Sequence, residues 1–337
     1  MIATAPSRRP ADDLPPLAAE VRQVQGFIER TLRRHRAVSA ECRLFAVGGK
    51  LLRTHLVFAS LSPSSPRRHG IDAVQAAAAV ELVHAASLLH DDIVDRSATR
   101  RGLPALHRVH GHRAAACSGM YLVHLALTLI ARLPARVRIR MADTAHRVAR
   151  GQFIEVARAH DPSLSPADRL AIMREKTASL FAMACELGGL LGGDEAGACR
   201  RKRSLGEAFG MLFQLADDID DMLAPEAELG RAPGADLLAG VISLPMAFAL
   251  ESPHRSELLP LLEGTPSLTD ADRVRRCALL LGTSGALART CETAMVHLAR
   301  ARRHLERVSR CCEAAWIGML LDDTMARITR RVAPRRA

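Results

Sequence analysis

Asp91, Asp92 and Asp95 stand together in ELVHAASLLHDDIVDRSATRRGLPALH, residues 81–107, with Arg100 and Arg101 a few positions further on. Carboxylates four residues apart project from one face of a helix. They repel one another and call for a cation between them. Two adjacent arginines suit an anion that carries several charges. The chemistry this block could do is to hold a divalent metal beside a polyphosphate. A solvated helix end would carry the same residues, so the block alone leaves both readings open. A second block, Asp217-Asp218-Ile219-Asp220-Asp221, repeats the spacing 126 positions later. Two such blocks, each closing an apolar helix, suggest carboxylates facing each other across a cavity, where Mg2+ can hold a diphosphate.

The counter-charges are unusual. The 337-residue chain has a formal net charge of +11, and 44 of its 47 basic residues are arginine. Only Lys50, Lys176 and Lys202 are lysine, and asparagine does not occur. A sequence that has drifted to arginine wherever arginine will serve makes its surviving lysines candidates for specific work, although Lys202, inside Arg-Arg-Lys-Arg, reads as surface. His84 lies seven residues before Asp91, on the same helix face two turns back. A lone histidine in an apolar helix is more often a satisfied core residue, and its position alone does not decide. Aromatic residues are 3% of the chain and hydrophobic residues 48%, so the core is aliphatic, which favours helices over a sandwich or barrel. The shortage of stacking aromatics, and the lack of a zinc-finger or helix-turn-helix signature, argue against a nucleic-acid partner. Eight cysteines without a Cys-x-x-Cys pair fit a reduced, cytoplasmic setting. The N-terminus does not read as a signal peptide, and no run of about 18 apolar residues reads as a membrane span.

These residues need helices to position them. Helical spacing covers residues 17–36, 51–61, 71–95, 114–132 and 136–160, and Gly48-Gly49 breaks the chain just before Lys50 and Arg53. Residues 96–110 read as irregular, with Gly102 and Pro104 as breakers. Ser165-Pro166-Ala167-Asp168 is a helix start, with a serine cap, proline at N1 and an acid at N3. The helix that follows carries Lys176-Thr177 towards a glycine-rich stop at 188–193. Another apolar helix, 204–223, ends in the second acidic block; a loop spans 225–240, and the last helices cover 285–307 and 313–330. Nothing reads as a strand, and no linker divides the chain. The expectation is a disordered segment over 1–16, one all-α domain of ten or more helices around a central cavity over 17–330, and a loose basic tail over 331–337. Apolar helices beneath a diphosphate site would line a hydrocarbon tunnel, and that combination describes a prenyl substrate.

The chain resembles the trans-polyprenyl (isoprenyl) diphosphate synthase family over roughly residues 20–330. Gly48-Gly49-Lys50-Leu51-Leu52-Arg53 is similar to the family's GGKRxRP. Residues 81–107 are similar to its first aspartate-rich motif, and Phe213-Gln214 through Asp221 to its second. Gly151-Gln152, Lys176-Thr177, Gly234-Ala235-Asp236-Leu237 and Leu244-Pro245 match further signatures. The resemblance implies a helical bundle of the isoprenoid synthase type and a head-to-tail condensation. An allylic diphosphate ionises, isopentenyl diphosphate attacks the carbocation, and a proton is lost. It implies that Asp91, Asp95 and Asp217 ligate three Mg2+, with Asp92, Asp218 and Asp221 supporting or completing the shell. Arg100, Lys176 and Arg231 would hold the allylic diphosphate, and Lys50, Arg53, His84 and Arg101 the isopentenyl diphosphate. Thr177 and Gln214 would flank the nascent cation, with Phe213 beside them in the substrate site. The departing diphosphate builds up negative charge, which Mg2+ and these cations would stabilise.

In this family bulky residues four and five positions before the first aspartate stop chain growth. Here they are Ser87 and Ala86, both small. The expected product is therefore of geranylgeranyl size or longer, with the tunnel floor on the helix carrying Met120 and Tyr121. A homodimer, and peripheral membrane contact for product release, are further expectations. The chain departs from the family pattern at Leu51, where a basic residue is usual, at Thr54 and Met120, and at Val241, where a cation is missing; Arg231 replaces a lysine. Two alternatives are a terpene cyclase on the same fold and a subunit of a heteromeric synthase. The absence of asparagine, the second acidic block, and the presence of Lys50, Arg53, His84 and Arg101 weigh against the cyclase, and the retained aspartate motifs weigh against a non-catalytic subunit.

Overall fold

The computed structural model describes residues 17–35, 38–62, 64–229, 232–264, 268–309 and 312–333. The segment 1–16, Arg231 and residues 334–337 lie outside them. Apolar residues at helical spacing bury Val24, Ile28 and Leu32 on α1 (Ala18–Arg34). Ser39 caps α2 (Ala40–Val47) by accepting the Cys42 amide. The Gly48-Gly49 break follows, and α3 (Leu52–Ser60) starts from Leu51, a buried residue in the left-handed region at φ 45°. α4 (Ile71–Val94) is rich in alanine and buried along most of its length. Small side chains on every face let neighbouring helices approach it.

Residues 99–104, read from sequence as irregular, form a small hairpin. β1 (Thr99–Arg100) pairs antiparallel with β2 (Leu103–Pro104). The two turn residues, Arg101 and Gly102, both have positive φ, 54° and 77°, the turn conformation whose twist suits two paired strands. Asparagine or aspartate usually fills the first of these positions, so Arg-Gly gives little warning of it. α5 (Leu106–Leu129) begins earlier than expected and continues across a kink at Gly111 (φ 81°).

α6 (Ala135–Ala157) and α7 (Pro166–Met173) follow, the latter with the expected capping box between Ser165 and Asp168. A π-turn over Arg174–Ala178 leads into α8 (Ser179–Gly192). α9 (Ala196–Leu223) starts two turns before residue 204 and delivers the second acidic block at its end. Two short helices, α10 (Glu226–Leu229) and α11 (Ala235–Leu238), punctuate the loop after it. The chain finishes with α12 (Leu244–Leu250), α13 (Arg255–Glu263), α14 (Asp270–Thr283), α15 (Ala286–Val308) and α16 (Ala314–Val332). α16 runs two residues into the stretch read as a basic tail.

The largest packing interfaces are α4 on α5, α8 on α9, and α9 on α15. By length and composition α4 and the stretch Leu106–Ile130 are each apolar enough to cross a membrane, which the sequence did not suggest. α4 is mostly buried inside the protein, so its apolarity serves the core. Lys202, read as surface, is fully buried. Its ammonium donates to the Ser60 carbonyl at 2.6 Å and pairs with Asp194 at 2.5 Å, pinning α9 to the end of α3. The helical period turns this one member of Arg-Arg-Lys-Arg inward, while Arg201 and Arg203 stay partly exposed.

Candidate active site

The charged ends of α4 and α9, with the π-turn between α7 and α8, converge on a cavity of about 970 Å3. Asp91 and Asp95 face it from α4, and Asp217 and Asp221 from α9. Leu88, Met173, Leu180 and Phe213 give it an apolar wall, and residues between Ala232 and Val241 form part of its lining on the loop side. Val241, where the family pattern has a cation, thus contributes an apolar surface.

The middle aspartates of the two blocks do not line the cavity. Asp92 is 1% exposed, and its Oδ1 accepts both Nε (2.8 Å) and Nη2 (2.5 Å) of Arg100. Asp218 is fully buried; it accepts from Gln214 Nε2 at 2.8 Å, Arg169 Nη2 at 3.3 Å and the Leu244 amide at 3.0 Å. These two stand behind the cavity-lining aspartates and hold the side chains beside them, a supporting place in the expected metal set. The outer aspartates are strained electrostatically. Burial raises the pKa of Asp91 against the pull of Lys176. Burial and the nearby Asp91 push Asp95 up to about 6, and burial raises Asp217 although Arg327 opposes it. Carboxylates raised by burial are stabilised in their charged form by a cation placed beside them. Asp91 Oδ1 is buried without a hydrogen-bond partner. Among the described residues no three carboxylates or histidines converge tightly enough to hold a metal by themselves.

A chain of charged side chains holds the rear of the site. Lys176 projects from the π-turn and is ion-paired with Glu155, with Asp91 Oδ1 at 3.6 Å. Glu155 also takes Arg169 Nη1 at 2.5 Å. Burial disfavours the Glu155 carboxylate, but Lys176 and Arg169 outweigh it and hold its pKa at about 2. Arg169 continues to Asp218, Asp218 to Gln214, and Gln214 Oε1 accepts the Thr177 hydroxyl at 2.8 Å. Gly151 lets α6 meet the π-turn: a Cβ there would lie 2.4 Å from the Lys176 amide nitrogen.

A basic cluster forms the front. Arg53 is buried, stacks 4.3 Å above the Phe181 ring, and burial lowers its pKa to about 10 despite Glu81. The Glu81 carboxylate accepts the Thr54 amide at 2.8 Å, capping the start of α3. Arg101 donates to the carbonyls of Phe45 (3.0 Å) and Gly48, and its guanidinium lies where a side chain on Gly49 would sit. Lys50 is exposed on the same turn. His84 lines the cavity, and burial, then Arg53, Arg101 and Arg100, drive its pKa well down. It is neutral near pH 7 and able to donate or accept.

A model of the polyprenyl synthetase family matches residues 38–279. The chain belongs to the polyprenyl synthetase family. It is 34% identical over 315 residues to the nonaprenyl diphosphate synthase of Mycobacterium tuberculosis, covering 92% of both chains. It is 30% identical over 291 residues to the geranylgeranyl diphosphate synthase of Methanosarcina mazei, covering 84% of this chain and 87% of the other. Among solved structures, a polyprenyl synthase from Caulobacter crescentus, crystallised with calcium and isoprenyl diphosphate, superposes with a TM-score of 0.82 at 29% identity, over 96% of this chain and 100% of that one. The fold is the all-α isoprenoid synthase bundle, and the protein is a prenyltransferase.

The polyprenyl synthetase assignment does not bring every expected residue to the cavity. Ser87 lines it, but Ala86 is 1% exposed and packed in the core. Met120 is 67% exposed on the outside of α5. Tyr121 is half-buried and its hydroxyl meets His35 Nδ1 at 2.5 Å. The expected tunnel-floor pair, Met120 and Tyr121, is therefore not part of this cavity, because α5 presents these positions away from it. Arg231 lies outside the described residues. Conversely, Glu155, Arg169, Glu81 and Arg327 carry much of the site's electrostatics without having been singled out. Glu155 sat four residues after Gly151, a spacing that puts both on one helix face; the buried arginines had no signal in so arginine-rich a chain.

Proposed function

We propose that this chain is a Mg2+-dependent trans-polyprenyl diphosphate synthase. It would condense an allylic diphosphate with isopentenyl diphosphate, head to tail, to a product of geranylgeranyl size or longer. The observation that carries this reading is one cavity with two aspartate pairs at its rim and an apolar wall below, left open by Ser87 one turn beneath Asp91. The Caulobacter crescentus relative, with its calcium and isoprenyl diphosphate, supports the pairing of ligands. Asp91, Asp95, Asp217 and Asp221 would hold the metal ions. When bound, Mg2+ neutralises the diphosphate and makes it a better leaving group.

The chain's own residues do the rest. Lys176 and Arg100 bind the allylic diphosphate, with Lys176 aimed by Glu155. Arg53, Arg101, Lys50 and neutral His84 bind the second diphosphate. The Thr177 hydroxyl gives its proton to Gln214 Oε1, so its lone pairs remain for the nascent carbocation. Gln214 spends its amide donor on Asp218, which orients its oxygen the same way. The Phe213 ring offers its negative face to the same charge. The released diphosphate can accept the departing proton.

Purified protein, Mg2+, labelled isopentenyl diphosphate and allylic primers of graded length test this. Incorporation into acid-labile polyprenyl products is expected; no incorporation with any primer would sink the reading, and a cyclic hydrocarbon would favour a cyclase. We also propose a homodimer through the face where Met120 and Leu127 of α5 and Ile139 and Phe153 of α6 are exposed. The 34% identity over 212 residues to heptaprenyl diphosphate synthase component 2 of Geobacillus stearothermophilus favours a heteromeric second reading. Light scattering on the isolated, active chain separates the two.

A further inference from the structure

We infer that Arg327 on α16 is a positioning residue that occupies Asp217 until a diphosphate arrives, so that metal binding at the second aspartate pair depends on substrate. The inference rests on Asp217 being a metal ligand, and goes beyond that reading.

Arg327 Nη2 lies 2.9 Å from Asp217 Oδ1 and 2.8 Å from Asp220 Oδ2. Among the described residues it is the only side chain hydrogen-bonded to Asp217. Asp220 is secured independently, since Arg331 Nε reaches its other oxygen at 3.0 Å. Arg327 can therefore release Asp217 without leaving Asp220 unpaired. Arg331 is in turn ion-paired with Glu228 on α10, the short helix whose Glu226 lines the cavity. α16 thus fastens a ligand aspartate and the neighbouring loop together.

The first aspartate pair is arranged differently. Its cation, Lys176, stands 3.6 Å from Asp91 and is tied closely to Glu155. A metal ion can approach Asp91 and Asp95 without displacing a hydrogen-bonded cation. At Asp217 it competes with Arg327, which holds Oδ1 through a guanidinium that does not lose its charge at any ordinary pH. Arg327 does not itself line the cavity, but a diphosphate bound there adds negative charge beside Asp217, which draws metal ions to the pair and offsets the cost of parting Asp217 from its arginine. The two aspartate blocks, alike in sequence, then fill in order.

Mn2+ titration of the full chain by electron paramagnetic resonance, with no substrate present, reads this directly. Arg327→Gln should bind Mn2+ at the second pair roughly two- to fivefold more tightly than wild type, the scale of one partly exposed ion pair. Arg327→Lys, a point charge that cannot bridge both carboxylates, should fall between them. Asp217→Asn should weaken Mn2+ binding, and adding Arg327→Gln to it should give no gain. Saturating inorganic diphosphate should close most of the gap between wild type and Arg327→Gln. Unchanged or weaker Mn2+ binding by both Arg327 variants, with native circular dichroism, overturns the inference while Asp217→Asn still reports on the ligand assignment. A gap that persists under diphosphate overturns the release step. Wild-type affinity in Asp217→Asn removes the metal assignment and the inference with it.

Discussion

Glu155→Gln removes a negative charge from between two buried cations, and its cost can be worked out. In the native site Arg169 stands 2.5 Å from one carboxylate oxygen and Lys176 closes on the other. Against burial, these two cations hold the pKa at about 2, where a free glutamate has 4.5. That difference favours the ionised folded form by about 3 kcal/mol. Breaking a buried ion pair costs about 3–5 kcal/mol in general. The lower end applies here, because Arg169 keeps Asp218 at 3.3 Å and Lys176 keeps Asp91 at 3.6 Å. The folded pKa lies below the unfolded one, so the stabilisation is complete above about pH 4.5 and is lost as the pH falls towards 2. Urea unfolding at pH 7 should find Glu155→Gln less stable by about 3 kcal/mol, and the gap should narrow at pH 4 and again at pH 3. Titrating groups far from Glu155 are common to both proteins and drop out of the difference, whereas Asp91 and Asp95, which Glu155 raises, shift down in the variant. Since Lys176 loses its anchor, KM for the allylic primer should rise more than KM for isopentenyl diphosphate. A gap under about 1 kcal/mol at pH 7, or one that ignores pH, would refute the network.

Ser87→Phe places a ring in the cavity one turn below Asp91, and chromatography of the products should show a chain shorter by at least one isoprene unit; an unchanged length puts the floor elsewhere. Lys202→Met leaves Asp194 without its buried partner and should cost about 3 kcal/mol in urea unfolding, with turnover per folded molecule retained because Lys202 does not line the cavity. Asp91→Ala should abolish Mg2+-dependent incorporation of isopentenyl diphosphate, and an active variant would contradict the metal assignment.

The ends of α4 and α9 were legible because their chemistry is local: the aspartate spacing, the apolar run before it and the glycine breaks all lie within a few turns. Lys50 and Lys176 stood out because the chain has so few lysines. The same bias hid Arg169 and Arg327. In a sequence with 44 arginines, nothing local distinguishes a guanidinium buried against Asp218 from one in water. Lys202 failed for a related reason, since a run of four basic residues looks solvated unless the helix around it is known to be covered. Ala86 and Ser87 are adjacent, and adjacency cannot tell which faces a cavity; a rotation of about 100° per residue decides it. Met120 depended on the direction in which α5 leaves its hairpin, which the Gly111 kink sets and no periodicity predicts.

That rotation also explains why each acidic block is built as an outer pair with a further aspartate directly after its first member. Residues four apart stay on one face, so Asp91 with Asp95, and Asp217 with Asp221, look into the cavity. The residue after the first aspartate turns away into the protein, where a bare carboxylate is costly. Each copy meets that cost with an arginine: Arg100 at Asp92, Arg169 at Asp218. Both arginines also line the cavity. The middle aspartates therefore set the orientation of cations that face substrate, and the resemblance between the blocks extends to this second layer of charge. The blocks differ in what stands against the outer aspartates, a lysine anchored by Glu155 on one side and an arginine hydrogen-bonded to Asp217 on the other. Motifs alike in their outer aspartates thus present two unequal sites, and that inequality is the basis of the proposed order of filling.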